Sequence, residues 1–213
     1  MSDTSVYERV LGDAIDGLDP GLQRYFGALS QGSVGAGHGV FAVAGSRLRA
    51  LWPLWRFLAW RRVLFPEFGH GVPFTVVNTA QPDGSLTAVR TVAFGPRRRV
   101  MLDRMTVERG MLVDRIGRRG GLEVILDVTV EGGALRLSSR RIGLRLGHVR
   151  VPLTRFAGVT VHERAACPAG TGARPVQAVD VRITMPMLGE VFRYAGTFTY
   201  AVVPVAGADA ATP

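Results

Sequence analysis

From residue 72 onward the apolar residues recur at every second position, and this change of period constrains the fold more than any other feature of the chain. Successive side chains of a strand point to opposite faces of a sheet, so a period of two marks extended chain with one buried face. Phe74 and Val76 alternate with Thr75 and Val77, and Pro82-Asp83-Gly84 supplies the turn that joins this run to residues 86–94 as a hairpin. Further runs follow at 100–108, 111–116, 122–130, 134–146, 159–164, 176–185 and 191–203, punctuated by glycine pairs and by the 168–175 loop. No helix-length segment with a 3.6 period separates them, so an antiparallel sheet with short connections is expected rather than βαβ units. A meander of this length closes or half-closes around a core. The fold class predicted is mainly β with N-terminal helices (α+β): a curved antiparallel sheet or lipocalin-like barrel with a helical lid.

The chain ahead of the sheet reads as helix. Ser5-x-x-Glu8 has capping-box spacing, and Val6, Val10, Leu11, Ala14, Ile15 and Leu18 share a face. Asp19-Pro20 restarts a helix with Leu22, Tyr25, Phe26 and Leu29 on its apolar side, which makes residues 1–30 a helical N-terminus. The glycine-rich QGSVGAGHG then reads as a break before a short strand, VFAVA. Residues 46–64 form an amphipathic helix in which 47–62 carry three tryptophans and five arginines. Its arginines recur too often for a membrane span of about 20 apolar residues, and Pro53 kinks or restarts it. Two readings of this helix stay open. It closes one end of the barrel through Leu48, Leu51, Trp52, Trp55 and Leu58, or it lies on an anionic lipid surface through Trp52, Trp55, Trp60 and Arg56. The lid is preferred, because a free segment this apolar leaves a large patch in water. The whole reads as a single domain over 1–203 with a loose tail at 204–213.

Composition narrows the chemistry. At 213 residues the chain can bury a core without disulfides or metal. Its net charge is +9, and all 26 basic residues are arginine, which excludes a Schiff-base lysine, a phosphate-loop lysine and a lysine general base. The lone cysteine, Cys167, has no partner. Zinc-protease, nucleophile-elbow and phosphate-loop signatures are absent from the sequence. His38 and His70 sit in glycine-flanked loops, and with His148 and His162 they show no helical pair spacing, so no metal and no cofactor are expected. The Arg97-Arg98-Arg99 run lacks interleaved aromatics, so nucleic acid is not an expected partner. The acidic, polar start MSDTSVYERV lacks the basic and apolar regions of a secretory signal, so a cytoplasmic location is expected.

Alternation assigns faces and exposes two anomalies. Leu122, Val124, Leu126, Val128 and Val130 face the core against Glu123, Asp127 and Thr129; Val179, Val181 and Ile183 oppose Asp180 and Arg182. Arg90, however, is in phase with Leu86, Val92 and Phe94, and Glu163 is in phase with Val159 and Val161. A buried guanidinium and a buried carboxylate are each costly alone, so they should pair with each other or with a ligand in a shared interior space. Tyr194 and Phe94, on the inward faces of their strands, complete the candidate ligand-binding set.

The segments YERVLGDAIDGLDPGLQRYFG, GHGVFAV, AVRTVAFG, LVDRIGRRGGLEV, VTVHERA and MPMLGEVFRYAGTF together resemble a bacterial domain of unknown function, family 4166, sometimes fused behind saccharopine-dehydrogenase-like proteins. The most specific pieces are Pro186-x-Leu188-Gly189, Tyr194-x-Gly196, Glu163, and Arg90 with Phe94 and Gly95. The chain departs from the family pattern at Asp114, where glutamate is usual, at Ala88, where tryptophan is, and at Tyr25-Phe26, which lacks a nearby histidine. The resemblance implies no reaction. Three functions follow as expectations: binding of an apolar or amphipathic small molecule or lipid whose anionic head meets Arg90; an isomerase or cyclase in which Glu163 is general acid or base; or a module docking on a membrane or a dehydrogenase-like partner through the tryptophan-rich helix.

Overall fold

The computed structural model describes residues 4–146, 149–166 and 176–205; His148, Cys167 and residues 206–213 of the expected tail lie outside these. Three short helices, α1 (Val6–Leu11), α2 (Pro20–Phe26) and α3 (Trp52–Trp60), accompany eleven strands. In chain order these are β1 (Ser33–Gly45), β2 (Phe68–Ala80), β3 (Leu86–Phe94), β4 (Arg97–Glu108), β5 (Met111–Ile116), β6 (Leu122–Glu131), β7 (Ala134–Leu146), β8 (Val149–Pro152), β9 (Gly158–Ala166), β10 (Val176–Met185) and β11 (Gly189–Pro204). All pairings between them are antiparallel. The order β6-β5-β4-β3-β2-β1-β11-β10-β9-β7 returns to β6 through the β6–β7 ladder, so ten strands close a barrel and β8 hangs on the outer half of β7. The closing seam is short: β7 meets β9 only from Leu135↔Glu163 to Ser138↔Thr160. Closure removes the free edges that a sheet of this length would otherwise expose.

The structure corrects the sequence reading in several places. The glycine-rich stretch is not a break but the first half of β1, so the first strand starts at Ser33 rather than at VFAVA, and β2 begins at Phe68 rather than at residue 72. Gly35 and Gly39 belong there because a Cβ on Gly35 would overlap the Tyr200 ring and one on Gly39 would overlap the β11 backbone at Thr197 and Phe198. Glycine here makes room inside a strand. The N-terminal helix stops at Leu11, and residues Gly12–Gly17 continue as a 3-10 turn. The expected 46–64 helix is shorter as well: a 3-10 turn at Arg49–Leu51 leads into α3, with Pro53 in its first turn, where a missing N–H costs nothing. His38 and His70 lie on β1 and β2, not in loops, and both are exposed. Pro204, placed in the expected tail, is the last residue of β11.

Two apolar clusters fill the two halves of the barrel. In one, α1 and α2 bury Val6, Tyr7, Leu22 and Phe26 against Leu112, Val124, Leu135 and Leu137. The Ser5–Glu8 capping box starts α1, and the Asp19 N–H donates to the Gly133 carbonyl, which ties the helices to the β6–β7 turn. In the other, Trp55 and the connector Val63, Leu64 and Phe65 pack on Phe41, Phe74, Phe192 and Phe198. Trp55 is the inward tryptophan. Trp52, assigned to the covering stripe, instead stands 48 % exposed at the first residue of the helix, outward like Trp60, while Trp55 and Leu58 pack on the barrel.

Candidate functional site

A cavity of about 130 Å³ lies between these clusters. Its walls are apolar: Phe74 and Val76 of β2, Val179 and Val181 of β10, with Val63 and Leu64 from the connector and Tyr7 and Tyr25 from the helices. Into it project one cation and three carboxyls: Arg90 of β3, Asp103 of β4, Asp114 of β5 and Glu163 of β9. The register explains how they meet. Arg90 pairs across the ladder with Met101, and Asp103 is the next inward residue on β4; Met105, the next again, pairs with Asp114 on β5. Arg90, Asp103 and Asp114 thus form a diagonal stripe across three adjacent strands. Glu163 stands at the barrel seam, between Leu135 and Val179.

Arg90 and Glu163 line one space, but they form no ion pair with each other. Arg90 Nη1 donates to Asp103 Oδ2, and Glu163 Oε2 accepts from Gln177 Nε2. Of the two partners expected, each other or a ligand, the first is not found, because the Asp103 carboxylate on the neighbouring strand takes the guanidinium. Tyr194 also lines the cavity, and its ring packs on Phe41. Phe94 does not: it packs on Phe65 beneath the connector. Of the tryptophan-rich set, Trp55 is buried while Trp52, Trp60 and Arg56 are on the outside.

The electrostatics follow from burial. Desolvation raises the Asp114 carboxyl to about 7, with Arg90 pulling the other way. It also raises Glu163 to about 7, opposed by Arg90 and by the Gln177 hydrogen bond. The hydroxyls of Tyr7, Tyr25 and Tyr194 are pushed above their ordinary value by burial, so they remain donors; Tyr7 donates to the Met105 sulfur at 3.1 Å. Burial opposes the charge on Arg90, yet Tyr194, Tyr25 and Asp114 raise its pKa overall. Two acceptors remain without a donor among the described residues: Oδ1 of Asp103 and Oδ1 of Asp114. No group of three His, Cys, Asp or Glu side chains placed to hold a metal occurs among the described residues.

Asp103 and Asp114 were missing from the sequence-derived set although the same rule points to them. Asp103 is in phase with Met101, Met105 and Val107, and Asp114 is in phase with Leu112 and Ile116.

The fold and its interior define the class: a closed antiparallel β-barrel, capped by short helices, with a charged cluster inside an apolar cavity. Residues 18–198 match a domain of unknown function, DUF4166, and the chain belongs to this family. Comparison with curated proteins and with solved structures gave no match.

Proposed function

We propose that the barrel binds a small, compact molecule with an apolar body and a polar group that donates hydrogen bonds. The observation that supports this most is the pair of orphaned acceptors, Oδ1 of Asp103 and of Asp114, in the wall of an otherwise apolar cavity. A buried acceptor without a donor costs about 1–3 kcal/mol, a cost that a hydroxyl, amine or amide of an occupant removes. The anionic head considered from sequence fits less well. Asp103 already holds Arg90, and an anion would meet Asp114 and Glu163 as well. The volume sets the scale: about 130 Å³ is close to the room of a benzene-sized ring.

Matched ring-sized probes test this. Phenol and aniline should raise the thermal midpoint, benzoate should not, and Asp114→Leu should weaken the preference for donors over benzene. If benzoate stabilises most, the anionic-head reading returns; if no probe binds and organic extracts of the purified protein contain nothing enriched, the binding reading fails.

One observation favours a second reading, acid–base catalysis by an isomerase or cyclase. Glu163 is a buried carboxyl raised to about 7, which is where a general acid or base works best at neutral pH. Exchange of the α-hydrogens of cyclohexanone in D2O, followed by NMR, should be accelerated by the protein and lost in Glu163→Gln. Equal rates for the two proteins would remove Glu163 from a proton-transfer role.

A further inference from the structure

The outer face of α3 carries a surface that the interior site does not use. Going around the helix, Trp55 and Leu58 face the barrel, while Trp52, Leu54, Phe57 and Trp60 face away, 48 %, 41 %, 42 % and 64 % exposed. The only charged residue on this nine-residue helix is Arg56. A helix that is apolar on both faces is normally buried on both. Four large side chains left in water on one helix therefore call for a covering.

Charge identifies what covers them. The segment 46–66 contains no Asp or Glu, and Arg47, Arg49, Arg61 and Arg62 flank α3. The chain brings more arginine to the same rim: the Arg118 N–H donates to the Arg61 carbonyl at 2.7 Å, and Arg61 Nη2 donates to the Arg118 carbonyl at 3.3 Å, with exposed Arg119 next in sequence. None of these arginines has a carboxylate partner among the described residues; on the barrel wall Arg99, Arg104, Arg115, Arg145, Arg182 and Arg193 do, while Arg97, Arg98, Arg141 and Arg164 do not, so what sets the α3 rim apart is the complete absence of acid from the segment that carries the apolar face. Arg56 instead lies over Trp52 and Arg61 over Trp60, centroid distances 4.8 and 5.8 Å. Indoles at the edge of an apolar patch, surrounded by unpaired guanidiniums, match a bilayer interface with anionic headgroups. A second copy of the chain does not match, since it would place basic rim against basic rim.

We infer that the α3 face docks the protein on anionic membrane surfaces, with Trp52, Leu54, Phe57 and Trp60 at the acyl boundary and the surrounding arginines on the headgroups. Because Val63 and Leu64, which line the cavity, follow directly on α3, docking sets that wall of the cavity toward the bilayer. The link between docking and cavity rests on the ligand-binding reading, but docking itself is measured without any ligand.

The test is co-sedimentation of the full chain with vesicles of phosphatidylcholine alone and of phosphatidylcholine mixed with phosphatidylglycerol, across a salt series. Binding is expected to the anionic vesicles only, to weaken as salt rises, and to shift tryptophan emission to the blue. Arg56→Gln and Arg118→Gln should each weaken it about fivefold. Trp52→Ala with Trp60→Ala should abolish the blue shift without moving the thermal midpoint, since both side chains are exposed. Arg136→Gln and Arg140→Gln, on the barrel wall, should leave binding unchanged. Absence of wild-type binding at low salt overturns the proposal, as does equal binding to neutral vesicles. So does an equal loss with the wall variants, which would assign binding to net charge, or a concentration-dependent dimer that buries Trp52 and Trp60, which would make the face an interface between copies.

Discussion

Two ionic clusters on opposite sides of the barrel wall have inverted stoichiometry. Outside, on β6, the single carboxylate of Glu123 meets three guanidiniums: Arg115 at 3.1 Å, Arg145 at 3.4 Å and Arg150 at 3.6 Å. Inside, the single guanidinium of Arg90 shares a cavity with Asp103, Asp114 and Glu163. Water and salt screen the surplus positive charge outside, so it costs little. No such screening reaches the interior. Burial is what acts there instead: desolvation raises Asp114 and Glu163 to about 7, with Arg90 pulling the other way, so protons take up the charge that water cannot screen. Polar groups held this way do not make a barrel stable, since an apolar filling of the same volume does as well or better. Their presence inside is an argument for function.

The largest expected effect comes from breaking the inner cluster. Arg90→Ala leaves the Asp103 carboxylate buried without its cation and should cost about 3–5 kcal/mol, measured by urea unfolding. Replacing both, Arg90→Leu with Asp103→Leu, should recover much of the loss, since no buried charge is then stranded. If Arg90→Ala costs no more than a surface pair does, the interior is wet and the contrast between the clusters disappears.

The next effect is on pH. The ordinary values of Asp114 and Glu163 are 3.8 and 4.5, and both rise to about 7 in the folded protein, so the folded state binds the extra protons. Their contribution is fully present below the unfolded values and is lost as pH rises through about 7, on the order of 1.4 kcal/mol for each tenfold difference in proton affinity between the folded and unfolded states. Asp83, Glu108 and Asp180, whose hydrogen-bonded carboxylates are lowered, act oppositely and at more acid pH, where their contribution is lost as pH falls. The thermal midpoint should therefore fall between roughly pH 5 and pH 8 in the wild type and fall less in Asp114→Asn. A midpoint that rises over this range would show that the inner carboxyls are ionised.

Much of this was legible in the sequence, for a physical reason. Every strand pairs with its neighbours in an alternating pattern, so the bounds of β3, β5, β7 and β10 and the inward phase of Arg90 and Glu163 follow from local period alone. Two things were not legible. The glycines of β1 carry no side chain that could register a period, and their role depends on Phe198 and Tyr200, some 160 residues later in the sequence. The pairing of Arg90 with Asp103 depends on a cross-strand offset of two residues, which follows from the turn Gly95-Pro96 and not from either strand. The α3 surface lay between the cases: its composition was evident, but which tryptophan turns inward depends on Phe192, against which Trp55 packs.

The smallest effect belongs to the outer cluster and completes the contrast. Among the described residues Glu123 is the best-connected carboxylate on the barrel wall, and a count of its partners would rank it above Asp103. Its arginines stand partly in water, however: Arg145 and Arg150 keep 36 % and 64 % of their side-chain surface exposed. Coulomb attraction there acts through a high dielectric, and losing the carboxylate leaves guanidiniums that water can solvate. Glu123→Gln should cost less than about 1 kcal/mol in urea unfolding, and the difference from wild type should shrink further at high salt. Were Glu123→Gln to cost as much as Arg90→Ala, the number of partners rather than the access of water would govern these clusters, and the interior cluster would lose its claim to be the functional one.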